Sequence, residues 1–381
     1  KIDSEESFIA FREPEDHTEV FHKMISRLNL CSFEFISTQY DHEVQGNSVT
    51  KPLQGKGKVN SNVSVIRPLL DSNRGVVLSQ GLYPSYSDID TYWMAACSID
   101  TAIRNAISAG ASLEHLAILD NFCWCDSNHP KRLWQLKNAA KGCYDFAVAY
   151  GTPFISGKDS MFNDFRGYDE NFEEVEISIP PTLLISSIGV MKDVNKAQTI
   201  DFKIPGDIIY LVGNTAEETG GSEYNALMGE RERGEKYTGR NIPVVDAVLF
   251  KKLYSAMERA IDEDMVASCI SVERGGLGIA SAKSGLAGML GFELNLGEIN
   301  ESNVLRNDTI LYSESQGRFV VSVNPALKNK FEECFRELPI AMIGRVRDDQ
   351  KITITGTDSR KIINTDLTEL NYFYRKTLKK Y

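Results

Sequence analysis

Strand-like and helix-like stretches alternate twice along this chain with one polar break between the two rounds, and that repetition leaves few folds open. The first round has β-branched strands at 62–67 and 75–79, then a long alanine-rich helix from about Asp90. Ile99, Ala102, Ile103, Ala106 and Ile107 give that helix an apolar stripe, and Gly110 supplies its stop. A strand at 116–119 ends at Asp120, a helix with proline in its first turn covers Pro130–Tyr150, and a second strand begins at Pro153. Another apolar strand spans Thr182–Met191 before the polar stretch 192–203, and Pro205-Gly206 opens the second round. There the reading gives strands at 208–213, 265–272, 309–312, Phe319–Val323, Ile340–Val346 and 352–355. Helices fall at 246–262, from Gly276, from Pro325, and from Asp366, the last with Leu367, Leu370, Phe373 and Leu378 on one face.

The expected architecture is α/β in the α+β sense: a first domain with a mixed or antiparallel sheet and packed helices, then a second α/β domain. Residues 1–35 read as a connector whose helix, 19–30, carries Phe21, Met24, Ile25 and Leu28 on one face; 36–203 and 204–381 are the two domains. A length of 381 residues, 42% of them hydrophobic and 25% charged, suits two such units.

A net charge of −11 argues against nucleic acid and anionic membranes as partners, and no run is apolar enough to span a membrane. Seven scattered cysteines form no disulfide framework, which points to a reducing, cytoplasmic setting. The start at Lys1-Ile2-Asp3 reads as a processed product or a piece of something longer.

The block with the most chemistry is Ser156-Gly157-Lys158-Asp159-Ser160, which continues directly from the apolar strand Pro153-Phe154-Ile155. Glycine lets backbone approach a phosphate, lysine brings a mobile cation, and the carboxylate and hydroxyl suit a metal or polar substrate. A solvated polar turn would have the same composition. Strand, helix, strand order puts Asp120 and Gly157 on one sheet rim, where ligands of α/β proteins sit. Gly220-Gly221-Ser222-Glu223 suits an anion or a plain turn, and Gly275-Gly276 suits close helix packing. Ser313-Glu314-Ser315-Gln316-Gly317-Arg318 can orient a ligand or satisfy local backbone groups. Cys123, Cys125 and His129 lack a matching pair for zinc; Cys31, Cys97, Cys143, Cys269 and Cys334 read as core.

Taken in order, Tyr40-Asp41-His42-Glu43-Val44-Gln45-Gly46, Ala102-Ile103-Arg104-Asn105, Leu119-Asp120, Ser156–Met161, Gly220–Tyr224, Gly275-Gly276-Leu277 and Ser313–Arg318 resemble the synthetase portion of phosphoribosylformylglycinamidine synthase, in its C-terminal half. The resemblance implies an AIR synthetase-like fold and an ATP-dependent ligase. ATP would phosphorylate the formamide oxygen of formylglycinamide ribonucleotide, and ammonia from glutamine would displace phosphate, with Mg²⁺ neutralising charge. It also implies Asp120 and Gly157 for ATP, with Lys158 facing a phosphate, and Ser160 for the ribonucleotide. Lysine cannot ligate Mg²⁺, so Asp159 is the nearest metal carboxylate.

The family's second, pseudo-equivalent nucleotide site maps to Asn62, Thr101, Asn105 and Ser271. Three of its carboxylates are replaced here, so it should be metal-free or weak. Catalytic residues belong to the first half, and this chain alone should not turn over. Its implied partners are that first half, fused or separate, a glutaminase domain or subunit, the ribonucleotide, and, for an isolated half, a second copy of itself. Two other readings stand: a scaffold half with a degenerate site, or another enzyme of the AIR synthetase or selenophosphate synthetase kind.

Overall fold

The computed structural model describes residues 11–301 and 305–380. It stacks four layers: sheet, helices, sheet, helices. The first sheet orders its strands as Ser48–Thr50, Val63–Ile66, Gly75–Leu82, Thr182–Met191, Leu116–Cys123 and Phe154–Ser160. Every pairing is antiparallel except the last, where Leu116–Cys123 and Phe154–Ser160 run parallel because the helix Pro130–Tyr150 connects them. The second sheet has seven strands, ordered Ser268–Ser271, Phe319–Val323, Ile208–Val212, Ile340–Val346, Phe292–Asn295, Lys351–Thr355 and Lys361–Asp366.

Alternation along Ile208–Val212 explains the stacking. Ile208, Tyr210 and Val212 enter a core shared with the first sheet's helices, whereas Ile209 and Leu211 enter a second core on the other face. A strand buried on both sides needs no polar face, and this one has none.

The helix Thr91–Ser108 lies in the middle layer. Asp90 caps it by accepting from the amides of Tyr92 and Trp93. Nearly every residue of it is buried, and its alanines let it touch the first sheet, Pro130–Tyr150 and Ala247–Asp262 together. The second core is covered by Gly276–Gly288, Thr18–Ile25 and the C-terminal helix Leu367–Lys376.

Several expectations need correction. Residues 309–312 form no strand; they end the helix Asn307–Tyr312, where Asp308 accepts from the Thr309 amide at 2.8 Å. The first helix stops at Ile25, and Leu28, expected on its apolar face, is exposed. Strands at Phe292–Asn295 and Lys361–Asp366 and the helix Glu223–Arg233 went unforeseen. The terminal helix docks on its own chain, burying Leu367, Leu370 and Tyr374. Residues 1–3 lie outside the described residues. No described helix is long and apolar enough to cross a membrane.

Candidate functional site

Two places gather the residues singled out above. The first is the rim of the first sheet. Asp120 pairs with Gly157 across the parallel strands, and a Cβ on residue 157 would lie 2.4 Å from Asp120 Oδ1. Only glycine therefore lets the Asp120 carboxylate lie across the neighbouring backbone.

Residues opposite one another share a face, so the register sorts this rim. Asp120 stands opposite Ile185, which is buried under the helices, and Asp159 stands opposite Phe122. Asp120, Gly157 and Asp159 thus lie on the helix side. Lys158 and Ser160 take the other, open side, where Lys158 Nζ donates to Ser160 Oγ at 2.9 Å. The five candidates are together along the chain but divided between two faces.

Burial holds the Asp120 carboxyl above the usual carboxylate range, and the Asp159 charge pushes the same way. Behind Asp120, the buried Cys143 thiol is pushed up to about 12, chiefly by burial. Among the described residues no three His, Cys, Asp or Glu side chains gather as a metal cluster. Two carboxylates that feel each other's charge still suit a Mg²⁺ carried in on phosphates, since that ion takes few protein ligands. The edge strand is largely exposed, with Ile155 60% accessible, so this rim is a wall without an opposite wall.

The second place is a cavity of about 620 Å³ between the two units, and the structure brings Asn62, Thr101 and Asn105 to its lining. Ser271 joins them from behind, its Oγ donating to Asn105 Oδ1. Sequence reading missed three charged residues here: Glu273, Arg274 and Lys283. A signal for Lys283 existed, because it is the only charged residue of Gly276–Gly288.

Asn62 Nδ2 donates to Glu273 Oε1, and Asn105 Nδ2 donates to Glu273 Oε2 at 3.4 Å. Both amide nitrogens face the carboxylate, and the Asn105 oxygen is already used. Thr101 Oγ1 is tied to Gln316 Oε1 and Tyr83 OH, each at 2.9 Å. One carboxylate ringed by donors and cations does not fit a Mg²⁺ site, which needs several free oxygens.

The remaining motifs are used up internally. The amides of residues 220–223 donate to Asn241, Thr238, Thr219 and Glu314, leaving no nest for an anion. Gly276 has no room for a Cβ beside the Leu311 and Ser313 carbonyls. Arg318 donates to the carbonyls of Ser313 and Ser315 and to Thr215 Oγ1, and Glu314 accepts from Tyr86 OH and from the amides of Glu223 and Gly275. Cys31, Cys97, Cys143, Cys269 and Cys334 are buried, as read.

Residues 60–179 match the family model of the AIR synthase related protein N-terminal domain, and residues 205–357 match that of its C-terminal domain. Order, fold and rim together define an AIR synthase related protein. Within that class the chain is similar to subunits of phosphoribosylformylglycinamidine synthase. It is 33% identical over 370 residues to phosphoribosylformylglycinamidine synthase subunit PurL of Methanocaldococcus jannaschii, covering 96% of this chain and 47% of that protein. Thermotoga maritima PurL complexed with FGAR superposes with a TM-score of 0.66 at 19% identity, over 93% of this chain and 56% of the other. PurLQS from the same organism gives 0.63 at 20% identity, over 84% and 47%. At those identities the structures speak for the fold. The chain spans about half the length of the curated relatives it matches.

Proposed function

We propose that this chain is the C-terminal half of a phosphoribosylformylglycinamidine synthase and contributes one wall of a composite ATP and ribonucleotide site. The observation that carries the reading is the Asp120–Gly157 pair, where a glycine makes room for a carboxylate midway along two paired strands that run on past the expected ends, to Cys123 and Ser160. Asp120 and Gly157 serve ATP from the helix side of the rim, with Asp159 beside them for its Mg²⁺. Ser160 serves the ribonucleotide from the open side. Lys158, held against Ser160, orients that hydroxyl or meets a phosphate there.

In the reaction, the oxygen that takes the terminal phosphoryl group of ATP, releasing ADP, is the glycinamide carbonyl's and not the formamide's, because the product keeps its formyl group; ammonia then adds at that carbon, gives up its extra proton, and the oxygen leaves with phosphate, giving the amidine. Mg²⁺ neutralises phosphate charge when bound. This chain's residues position the reactants and shield the developing charge, and catalytic groups come from the first half, fused or separate. A glutaminase domain or subunit supplies ammonia, and the setting is cytoplasmic. A second copy of the chain is the substitute partner when the first half is absent.

A second reading, a scaffold half, is favoured by the interdomain cavity, whose family positions are tied up in internal hydrogen bonds. The test mixes the chain with the first half, formylglycinamide ribonucleotide, Mg-ATP and ammonia. Asp120→Ala and Ser160→Ala should each lower product formation at least tenfold, by roughly the worth of a charge-assisted contact. Unchanged rates in both would leave the scaffold reading.

A further inference from the structure

The helix Ala247–Asp262 carries on its outer face a concentration of positive charge that carboxylates do not answer. A groove of about 520 Å³ opens there, between that helix and the turn at 335–338 that follows the helix Lys328–Cys334. Lys251, Lys252, Arg259 and Arg336 line it, and Glu337 is the one carboxylate among its lining residues. Of the four cations only Arg336 has an ion pair among the described residues, with Glu333. Three positive charges are left without a counter-charge in a chain whose net charge is −11.

The acceptors that do hold these cations are neutral. Arg259 Nε donates to the Cys334 sulfur at 3.1 Å, and one of its terminal nitrogens donates to the Cys334 carbonyl at 2.7 Å. The Cys334 thiol passes its own hydrogen to the Ala256 carbonyl, so its sulfur is left to accept. Lys251 Nζ reaches across to the first unit and donates to the Ala149 carbonyl at 3.1 Å. Such bonds fix the direction of a cation without cancelling its charge, and a guanidinium held this way is pre-organised for an anion. The second terminal nitrogen of Arg259 and the whole Lys252 ammonium have no partner among the described residues.

Spacing says what kind of anion fits. Lys252, Ser255 and Arg259 fall at i, i+3 and i+7, which puts them on one helix face over about 10 Å of rise. A single small ion cannot meet both cations at that separation, whereas a molecule with two or more anionic groups can. Leu249, Ala256 and Leu338 give the groove an apolar floor for the atoms that join those groups. The volume also lies within the usual range for small-molecule sites.

We propose that this groove binds a small polyanion, a molecule carrying two or more phosphate or carboxylate groups. Lys252 and Arg259 hold separate anionic groups, and Lys251 and Arg336 flank them. The site lies apart from the rim and from the interdomain cavity, and it stands whether or not the reading above does.

The test is isothermal titration of the full chain in EDTA with pyrophosphate and, in parallel, with citrate, acetate serving as the singly charged comparison. Low ionic strength keeps the exposed charges unscreened. Pyrophosphate or citrate should bind at least tenfold more tightly than acetate, and the tighter of the two assigns the ligand to phosphates or to carboxylates. Arg259→Gln should weaken that binding roughly tenfold, the effect of one charge-assisted contact, and Lys252→Gln roughly threefold. Lys252→Arg should keep the affinity. Lys158→Gln at the rim and Lys283→Gln in the interdomain cavity should leave it unchanged. Because Lys252 bonds nothing in its own chain, its variant decides the matter if Arg259→Gln disturbs the Cys334 turn. The proposal is overturned by no binding of either probe, by binding no tighter than that of acetate, by binding indifferent to Lys252→Gln, or by binding lost instead in Lys158→Gln or Lys283→Gln.

Discussion

The rim at Asp120–Ser160 and the cavity at Asn62–Lys283 are built from similar residues but finished to different degrees. At the rim, an exposed edge strand presents Lys158, Asp159 and Ser160, and the strand beside it adds Asp120, with few internal bonds. In the cavity, the family positions are closed into a network that continues into the protein. Thr101 meets Gln316, Arg104 bonds Thr101, Gln316 and the Val272 carbonyl, and Asp100 holds Arg104 together with the hydroxyls of Tyr150 and Tyr254. Open polar groups on an exposed strand are available to another molecule, whereas a buried network that crosses from one unit to the other holds the two together.

Asp100 is the strongest way to break that contrast. It is fully buried and accepts from a guanidinium and two phenols, so Asp100→Ala leaves Arg104 charged and unpaired. The expected cost is about 3–5 kcal/mol in urea unfolding. A cost below about 1 kcal/mol would mean the network behind the cavity is as loosely held as the rim.

Glu314 gives the next largest effect. It sits in the second unit, accepts from Tyr86 of the first, and burial pushes its carboxyl up to about 7. A folded pKa above the unfolded value, about 4.3, means the native state keeps the proton longer. Stability from this group is therefore full below the unfolded value and is lost as pH rises to 7, by up to about 3 kcal/mol over that window. Urea midpoints at pH 5 and pH 7 should fall with rising pH, and Glu314→Gln should flatten the slope. An unchanged slope in the variant would assign it to other groups.

What the sequence allowed follows the same division. Periodicity located the long helix at Thr91 and the parallel pair carrying Asp120 and Gly157, because both patterns repeat over enough residues to exclude alternatives. It failed at 309–312, where Thr-Ile-Leu-Tyr suits a short buried strand or the last turn of a helix equally. The preceding Asn307-Asp308 was the deciding local signal. The strands at Phe292–Asn295 and Lys361–Asp366 are short and depend on neighbours far along the chain.

At the rim, spacing named the residues but not their faces, because a glycine beside charged residues looks like a loop until pairing fixes the alternation. In the cavity, Glu273 and Arg274 were hidden by the glycines that follow them. The residues that replaced family carboxylates were legible, whereas Arg274 and Lys283, which belong to the second unit, meet Asn62, Thr101 and Asn105 of the first only in the fold.

Gly157→Ala has the smallest expected effect on stability and tests the rim most directly. Its new methyl would be 2.4 Å from Asp120 Oδ1, closer than any tolerable contact, yet the obstructing atom is the end of a half-exposed side chain. Asp120 can swing away, so the stability loss should stay within about 1 kcal/mol. The cost should appear in function, since the carboxylate moves off the neighbouring strand. Product formation in the reconstituted synthetase should fall nearly as far as in Asp120→Ala. A large stability loss with unchanged turnover would reverse the assignment: the rim would be the structural region, and Gly157 would be present for packing alone.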